Sequence, residues 1–431
     1  MSPPPQGDGS DSGADVVDAD ASIHDVAQVE VVPPPPGSYC ALAGSRVSVA
    51  GTTLVIPPPM GTVEPDLSFM KLPDGYCVHY FATVATARAI RFAPGGELFV
   101  ASPAQIVSGG APAGAGAIFD IPDDNGDGYG DSNITFQDNL PATQGMLFFN
   151  GAFYYQDHTS VMAVPYTSGE RTNTEAPTQM VEITAYVSVG HWPKTLDVAD
   201  DGTIYVTNGS DQNESCVTPH VFNGGIFAID GSPNGKEIAQ GFRNPMYMRC
   251  QRGHDNCFVD ELTLDGSGGS GGREKMALFA AGQDWGFPCC ATQNLPFSGT
   301  MPTPDCSGVQ ADTDSFKVSN TPFGLDFETG VWPAPFTHNA FIAMHGAFSS
   351  WVGARIVAIQ TDPSTGQPLP ASNVNGTDTG GMSDFLTGYD DGTQSHGRPA
   401  DITFAKDGRM FVADDVNGVI VWVAPVSLQH S

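Results

Sequence analysis

The segment LDVADDGTIYVTN, residues 196–208, places two short apolar alternations on either side of a glycine-containing turn. The same arrangement recurs in IRFAPGGELFVAS (90–102) and ITFAKDGRMFVAD (402–414). An alternation, a two-residue turn containing glycine and a second alternation are typical of a β-hairpin. Three such hairpins, spread over most of the chain, indicate that one β unit is repeated.

Further strands follow the hairpins. Four segments begin at glycine and are rich in β-branched residues: GAIFDI (116–121), GGIFAI (224–229), GARIVAI (353–359) and GVIVWV (418–423). Hairpins that recur with intervening strands favour radial β-repeats over a sandwich. With about four strands and ~45–60 residues per blade, residues 63–425 would form about six blades. The sequence therefore predicts an all-β fold, a six-bladed β-propeller.

Long loops interrupt the repeats at 103–116, 264–273 and 291–322, and they are rich in glycine, serine and proline. In a propeller such Gly/Pro-rich loops rim one face and build the site. The composition agrees with short strands and many turns, with 51 Gly, 35 Pro and only 15% charged residues. We expect the loops to lie together on one face.

The net charge is −31, with only 17 Lys and Arg in 431 residues. Such a surface repels phosphate backbones and anionic membranes, so nucleic acid is excluded as a partner. No stretch is long and apolar enough to span a membrane. With so few cations, each arginine in an apolar setting requires an explanation.

Three regions are expected along the chain. Residues 1–37 are rich in Pro, Gly, Ser, Ala and Asp, a composition typical of a disordered tether. Residues 38–425 are predicted to form a single catalytic propeller domain, and 426–431 a C-terminal tail. No secretory signal is visible, and a tether of this type commonly follows a bacterial lipoprotein anchor. We therefore expect an exported protein, located in the periplasm, at the cell surface or outside the cell. A lipid anchor on the tether is one way in which it would be held at the surface.

The chain has eight cysteines and no CxxC or His-rich zinc pattern. An even number without metal-ligand spacing predicts disulfides and an oxidising compartment; buried free thiols are the alternative. Cys250 with Cys257 would close a short loop, and Cys40 with Cys77 would tie down the N-terminus. Since a vicinal disulfide is strained, Cys289 and Cys290 are expected to pair separately, with Cys216 and Cys306 as the partners.

Five motifs follow one another in the order of a known family: GHWPKTLDVADDGTIYVTNGSD (190–211), GFRNPMYM (241–248), GQDWGFPCC (282–290), AFIAMHGAFSSW (340–351) and HGRPADITFAKDGRMFVADD (396–415). Together they resemble the soluble quinoprotein glucose, sorbosone and pyranose dehydrogenases, six-bladed propellers that carry pyrroloquinoline quinone (PQQ). The resemblance covers roughly residues 80–425. Two segments depart from it: a His-Gly-Ser-Trp tetrad reads His-Gly-Ala-Phe, and an acidic loop reads LDGSGGSGG (264–272).

The resemblance implies how PQQ would be held. Its three carboxylates and ortho-quinone need cations, and arginine suits planar carboxylates best. The family motif makes Arg243 the cation and Asn244 a neutral donor. Other candidates are Arg398, Lys194, Arg355 and His345. Arg88 is a further, weaker candidate, for which an exposed surface position is the favoured alternative. The alternative for Arg243 is a structural arginine that binds loop carbonyls.

His191 is the candidate catalytic residue. Oxidation of a hydroxyl requires removal of its proton while hydride leaves the carbon. An imidazole, whose ordinary pKa is about 6.5, suits that task at neutral pH. The position of His191 in the family motif favours it as the general base over the other nine histidines.

Two calcium sites are predicted. The family pattern places one ion at the quinone, beside a loop that starts at Asp265 and Gly266. The second is the segment DDNGDGYGD (123–131), which matches an EF-hand-like loop. Its candidate ligands are Asp123, Asn125, Asp127, Tyr129 and Asp131. The twelfth position, Ile134, cannot supply a carboxylate, and an Asx-rich turn without metal is the alternative.

The sequence thus predicts a secreted PQQ- and calcium-dependent oxidoreductase that acts on CH–OH groups. Its substrate would be a sugar, a sugar aldehyde or a polyol, and its electrons would pass to an external acceptor, a quinone or a cytochrome. The chain has no C-x-x-C-H haem motif. Two alternatives stay open: a calcium-dependent propeller lactonase or esterase, and a non-catalytic propeller that binds glycans or partner proteins.

Overall fold

A computed structural model describes residues 33–104, 114–183, 190–217, 222–266, 272–347, 350–369 and 382–430. Most of the predicted tether, residues 1–32, lies outside these ranges. Within them the regular structure is β, apart from one 3₁₀ turn at Tyr39–Ala41. No helix in the described part of the chain has the length and apolarity needed to cross a membrane.

Within these ranges, twenty-nine strands are arranged mainly in six sheets, each a blade. The chain begins with β1 Arg46–Val49, β2 Thr52–Val55 and β3 Tyr76–Thr83. Blade 1 contains β4 Ala89–Phe92, β5 Leu98–Ser102, β6 Ala117–Ile121 and β7 Ile134–Gln137. Blade 2 contains β8 Met146–Phe149, β9 Ala152–Asp157, β10 Ser160–Pro165 and β11 Thr178–Glu182. Blade 3 contains β12 Leu196–Val198, β13 Ile204–Asn208, β14 Gly225–Ala228 and β15 Lys236–Gln240.

Blade 4 contains β16 Asn244–Gln251, β17 Asn256–Leu262 and β18 Glu274–Leu278. An insertion with β19 Gln283–Asp284, β20 Cys290–Thr292 and β21 Leu295–Pro296 precedes its last strand, β22 Asp314–Phe316. Blade 5 contains β23 Pro322–Phe327, β24 Ala340–Met344, β25 Arg355–Ile359 and β26 Met382–Leu386. Blade 6 contains β27 Pro399–Phe404, β28 Met410–Asp414 and β29 Val419–Pro425, with β3, β1 and β2 beyond them.

The ring closes between the two ends of the chain. Strand β29 pairs antiparallel with β3, with Val423 opposite Val78, so the N-terminal strand completes the last blade. The innermost strands β4, β8, β12, β16, β23 and β27 contact one another in sequence around the ring. The predicted all-β, six-bladed propeller is confirmed.

The three hairpins are β4–β5, β12–β13 and β27–β28, but their turns are longer than two residues. In each, a glycine amide donates to the carbonyl of an alanine three residues earlier: Gly96 to Ala93, Gly202 to Ala199 and Gly408 to Ala405. Each glycine has a positive φ, between 88° and 106°. A turn followed by a left-handed residue gives a three-residue connection, and glycine takes that conformation without a Cβ clash.

Buried carboxylates on the inner strands join neighbouring blades. Asp401 of blade 6 accepts the amide of Ile90 in blade 1 at 2.8 Å. Asp197 of blade 3 accepts the amide of Cys250 in blade 4 at 2.9 Å. The innermost strand of a blade is an edge strand, so some of its backbone N–H groups have no partner strand. A buried carboxylate that accepts a hydrogen bond from such an N–H group satisfies it. These contacts fix the angular position of one blade against the next.

Four disulfides join the eight cysteines: Cys40–Cys77, Cys216–Cys289, Cys250–Cys257 and Cys290–Cys306. The predicted framework is confirmed, and the structure decides which partner each of the two adjacent cysteines takes. Four disulfides are typical of a protein exported to an oxidising compartment.

We expect protein purified without reductant to show fewer than about one reactive thiol per chain after denaturation, because all eight sulfur atoms are bonded. A thiol-reagent titration in denaturant measures this. The same titration after reduction is the control and should give all eight thiols. Eight thiols before reduction would contradict both the pairing and the exported location.

Candidate active site at the end of the propeller channel

The inner strands of the six blades all start at the same end of the channel. Each blade is an antiparallel meander that enters through its innermost strand, so the six inner strands run in one direction. The residues at or just before these starts therefore converge: Arg88, Gln144, His191, Asn244, Phe323 and Arg398. The candidate site is built from this convergence.

Asp415, the residue after β28, lies at the centre of a buried charge cluster. Arg398 Nε donates to its Oδ1 at 2.7 Å, and Arg88 Nη1 donates to its Oδ2. His345 Nε2 lies 3.3 Å from both carboxylate oxygens. The Asp415 side chain is fully buried. We call Asp415, Arg88, Arg398 and His345 the Asp415 cluster.

The cluster carries more positive than negative charge. Burial opposes ionisation of Asp415, but His345, Arg88 and Arg398 together hold the pKa of its carboxyl well below the ordinary value. Burial, followed by the nearby Arg398, lowers the pKa of His345 to about 3, so this imidazole is neutral and donates from Nε2. Two guanidinium groups thus meet one carboxylate in a chain of net charge −31.

Aromatic rings line the cluster. The Arg88 guanidinium carbon lies 4.5 Å from the Phe323 ring centroid and 6.0 Å from that of Trp192. Phe323 stacks on His345 with centroids 3.7 Å apart. The Arg398 guanidinium lies 3.9 Å from the Trp351 ring centroid. Flat rings beside cationic planes suit a planar anionic ligand.

The prediction that Arg88 is a surface residue is wrong. Arg88 is only 5% exposed. Its Nε donates to Gln144 Oε1 at 3.1 Å, and Tyr247 Oη donates to its carbonyl. A signal was present in the sequence: Arg88 precedes the first hairpin by two residues, as Lys194 precedes the second. The repeat therefore pointed to Arg88 as an inner residue.

His191 has the hydrogen-bonding state of a base. Its Nδ1 lies 2.8 Å from the carbonyl oxygen of Ser210. Because a carbonyl only accepts, Nδ1 carries the proton and Nε2 keeps its lone pair. Nε2 is buried and has no hydrogen-bond partner within the described residues. Burial, followed by the charge of Arg243, lowers the pKa of His191 to about 3, so the ring is neutral.

Arg243 binds loop carbonyls in this structure. Its Nη1 donates to the Thr263 carbonyl at 3.0 Å and its Nε to the Asn213 carbonyl at 3.2 Å. Its Nη2 donates to Asn213 Oδ1 at 2.7 Å and to Asp265 at 3.2 Å. These contacts match the structural alternative, and a role in cofactor binding stays a prediction. Next to it, Asn244 Oδ1 is buried without a partner among the described residues.

Two predicted cations do not join the Asp415 cluster. Lys194 is fully buried, and its Nζ donates to Asn208 Oδ1 at 2.6 Å within blade 3. Burial lowers the pKa of Lys194 to about 7. Arg355 donates to Asp384 at 2.6 Å and to Asn320 Oδ1 at 2.9 Å. We interpret Lys194 as a support for its blade and Arg355 as a partner of a surface carboxylate.

The loop at 123–131 forms the hydrogen bonds of an Asx-rich turn. Asp131 accepts from the Asp124 amide at 2.7 Å, Asn125 from the Asp127 amide at 2.8 Å, and Asp127 from the Tyr129 amide at 3.0 Å. Asp123 instead lies 3.8 Å from Arg409. In the described part of the chain, no three His, Cys, Asp or Glu side chains are grouped to hold a metal ion. Both calcium sites stay predictions.

The fold and the converging inner strands define a six-bladed propeller with a cationic, aromatic site at one end of its channel. Residues 62–265 match a family described as a domain of unknown function (DUF7133). No curated protein sequence matches the chain.

Solved structures share the fold at low sequence identity. A carbohydrate-active enzyme of family AA12 from Trichoderma reesei is 19% identical, with a TM-score of 0.68 over 84% of this chain and 100% of that one. The holo form of the pyranose dehydrogenase PQQ domain from Coprinopsis cinerea is 16% identical, with a TM-score of 0.67 over 88% and 99%. The PQQ-bound aldose sugar dehydrogenase from Streptomyces coelicolor is 13% identical, with a TM-score of 0.51 over 82% and 99%.

Proposed function

We propose that this protein is an exported PQQ-dependent sugar dehydrogenase. It oxidises a hydroxyl of a sugar, a sugar aldehyde hydrate or a polyol and passes the electrons to an external acceptor, a quinone or a cytochrome. The observation that carries the proposal is the pairing of a buried and a largely buried guanidinium on one carboxylate at the channel end. Trp192 lies 6.0 Å from the Arg88 guanidinium, and the residue before it, His191, is a neutral histidine whose Nε2 has no partner among the described residues.

The donor set fits a planar polycarboxylate. Arg88 and Arg398 exceed the charge of Asp415 by one, and an anionic ligand would balance that excess. Trp351 and Phe323 provide flat walls beside the guanidiniums. Asn244 Oδ1 is buried without a partner among the described residues and can accept a hydrogen bond, whereas the Nδ2 group of this side chain is the one that would donate to a quinone oxygen. When bound, PQQ supplies the hydride acceptor, and Ca²⁺ near Asp265 and Gly266 would polarise its carbonyl.

The protein's own residues then act on the substrate proton. His191 Nε2 accepts the hydroxyl proton, while Ser210 fixes the tautomer through Nδ1. Arg243 holds the Ser210–Asn213 segment against Thr263, and this keeps the imidazole in place. His345 donates to Asp415 and is not free to act as a base from Nε2. The two histidines therefore have different roles.

The structural neighbours support this assignment. The Coprinopsis protein is described as the holo form of a pyranose dehydrogenase PQQ domain and the Streptomyces protein as the PQQ-bound form of an aldose sugar dehydrogenase, and both share the fold. The rival hydrolase function is less well supported, because calcium-dependent hydrolysis uses clustered carboxylates and amides around the ion. The channel end here concentrates guanidiniums instead.

We expect Arg398→Ala to weaken PQQ binding by about 2–5 kcal/mol, since the substitution removes a charge-assisted hydrogen-bond partner from a carboxylate of the bound cofactor. Apo-protein is titrated with PQQ in the presence of Ca²⁺ while the absorbance of the cofactor is followed, and sugar is then added to detect reduction. Arg355→Ala is the matched control and should bind PQQ as the wild type does. A repeat after chelation measures the contribution of calcium.

Equal PQQ affinity in the Arg398→Ala and wild-type proteins would overturn the cofactor assignment. Absence of PQQ binding by the wild type would overturn the proposed function. If PQQ binds but no sugar reduces it, the proposed dehydrogenase activity would be contradicted.

A further inference from the structure

A second concave region lies over blade 3, a cavity of about 540 Å³. One wall is the end of β15 and the residue that follows it, Gly241. The other wall is the segment 284–309, which β19 brings alongside β15 in parallel, with Gln240 opposite Asp284. Since β15 ends just before Arg243 and Asn244, the cavity lies on the same side of the propeller as the Asp415 cluster.

The cavity is connected to the loop that supports the candidate base. Cys289 lines the cavity and is disulfide-bonded to Cys216. Cys216 follows, in the same loop, both Ser210, whose carbonyl binds His191, and Asn213, which binds Arg243. A ligand in the cavity would therefore lie beside the loop that holds His191.

The lining combines hydrogen-bonding groups with an apolar surface. Carboxylates come from Glu237, Asp284 and Asp305, and amides from Asn223 and Gln240. Phe287, Pro288, Pro304 and Val309 supply apolar surface. No lysine or arginine is among the described residues of this lining, so it would repel an anion.

Two carboxylates of the lining differ in how they are held. Asp284 is fixed by the Gly286 amide at 2.9 Å and by Gln240 Nε2 at 3.1 Å. Glu237 accepts no hydrogen bond from another described residue, and burial, followed by the charge of Asp284, raises its pKa. Fixed carboxylates and amides pair well with neighbouring hydroxyl groups, each of which can donate and accept.

The size of the cavity distinguishes between ligands. Pockets for small molecules measure about 300–1,000 Å³, far more than a single ion needs. Phe287 is only 5% exposed, so the partly exposed Pro304 provides the apolar contact for the CH face of a sugar ring. We propose that this cavity binds a glycosyl unit of an oligosaccharide whose reacting end lies at His191. This inference rests on the proposed function and extends it from monosaccharides to short glycans.

The test uses apo-protein without PQQ. Cellobiose, mannobiose, xylotriose and maltotriose, with their monosaccharides, are titrated calorimetrically into wild type, Glu237→Ala and Asp305→Ala. At least one oligosaccharide should bind the wild type, and both variants should weaken it by roughly tenfold, the effect of losing a hydrogen bond to a charged group. Glu182→Ala, an exposed strand glutamate of blade 2, is the matched control and should leave the affinity unchanged.

Equal affinity of wild type and both variants, or no binding of any oligosaccharide, would overturn the proposal. A third outcome would also overturn the proposal: the wild type binds CaCl₂ or spermidine but no oligosaccharide, and Glu237→Ala abolishes that binding. The cavity would then be a cation site. If the glycan binds and the variants weaken it, but the PQQ-treated protein oxidises no sugar, the glycosyl site stands and the proposed dehydrogenase activity fails.

Discussion

His191→Ala is expected to lower turnover by about 10²–10⁴-fold while PQQ stays bound, because removal of a general base typically costs this much. The Nε2 lone pair of His191 is buried and has no partner among the described residues, so it is available to the substrate hydroxyl. Steady-state kinetics with saturating sugar measures the loss, and a PQQ titration checks retention of the cofactor. His254→Ala, in the turn between β16 and β17, is the matched control and should keep wild-type turnover.

The pH profile tests the same assignment independently. Because burial lowers the pKa of His191 to about 3, the base stays deprotonated well below the ordinary histidine range. On the acid side of the profile, the midpoint of the decrease in the wild-type kcat/KM should therefore lie far below pH ~6.5. An acid limb near that ordinary value would contradict the buried, neutral state of His191. Loss of PQQ from His191→Ala would make the residue a cofactor ligand instead.

Asp415→Asn is expected to have the second large effect, a loss of about 3–5 kcal/mol in the free energy of unfolding. The substitution keeps the side-chain volume but leaves the buried Arg88 and the largely buried Arg398 without their shared counter-charge. Urea unfolding of the apo-protein measures the change. Asp384→Asn is the control: Asp384 also pairs with an arginine, but its side chain is 58% exposed, and an exposed pair contributes at most about 1 kcal/mol.

The pH dependence of this contribution follows from the direction of the pKa shift. The carboxyl of Asp415 has a lower pKa in the folded protein than in the unfolded chain. Its contribution to stability is therefore fully present above the unfolded value of about 3.9 and is lost as the pH falls below it. Asp415→Asn should remove that part of the acid sensitivity. Equal losses of stability in the Asp415 and Asp384 variants would contradict the buried cluster.

The site was only partly predictable from the sequence. His191, Arg398 and His345 stood in recognisable motifs, and the structure brings the last two together at Asp415. Asp415 was not among the predicted site residues. Lys194 and Arg243 hydrogen-bond groups within the blade and its loops, and their role in cofactor binding stays a prediction. A motif indicates that a cation is needed, whereas packing decides which group receives its hydrogen bonds.

What the sequence determined by itself is local and periodic. Alternation with a period of two residues and glycine at each turn specify the hairpins, and their recurrence indicates a repeated β unit. The number of blades came from the length of residues 63–425 and the ~45–60 residues of a blade. The even set of cysteines without metal spacing specified disulfides. These properties depend on neighbouring residues, so they can be read along the chain.

What only the tertiary structure decided depends on residues far apart in the chain. Arg88 and Asp415 are separated by 327 positions, and they meet because the first and last blades are adjacent in a closed ring. The protonation state of His191 follows from burial and from the carbonyl of Ser210, neither of which the local sequence specifies. The cavity over blade 3 exists because an insertion of blade 4 runs beside β15. Ring closure and desolvation are collective properties of the folded chain. Ring closure brings residues of different blades together, and desolvation sets their protonation states.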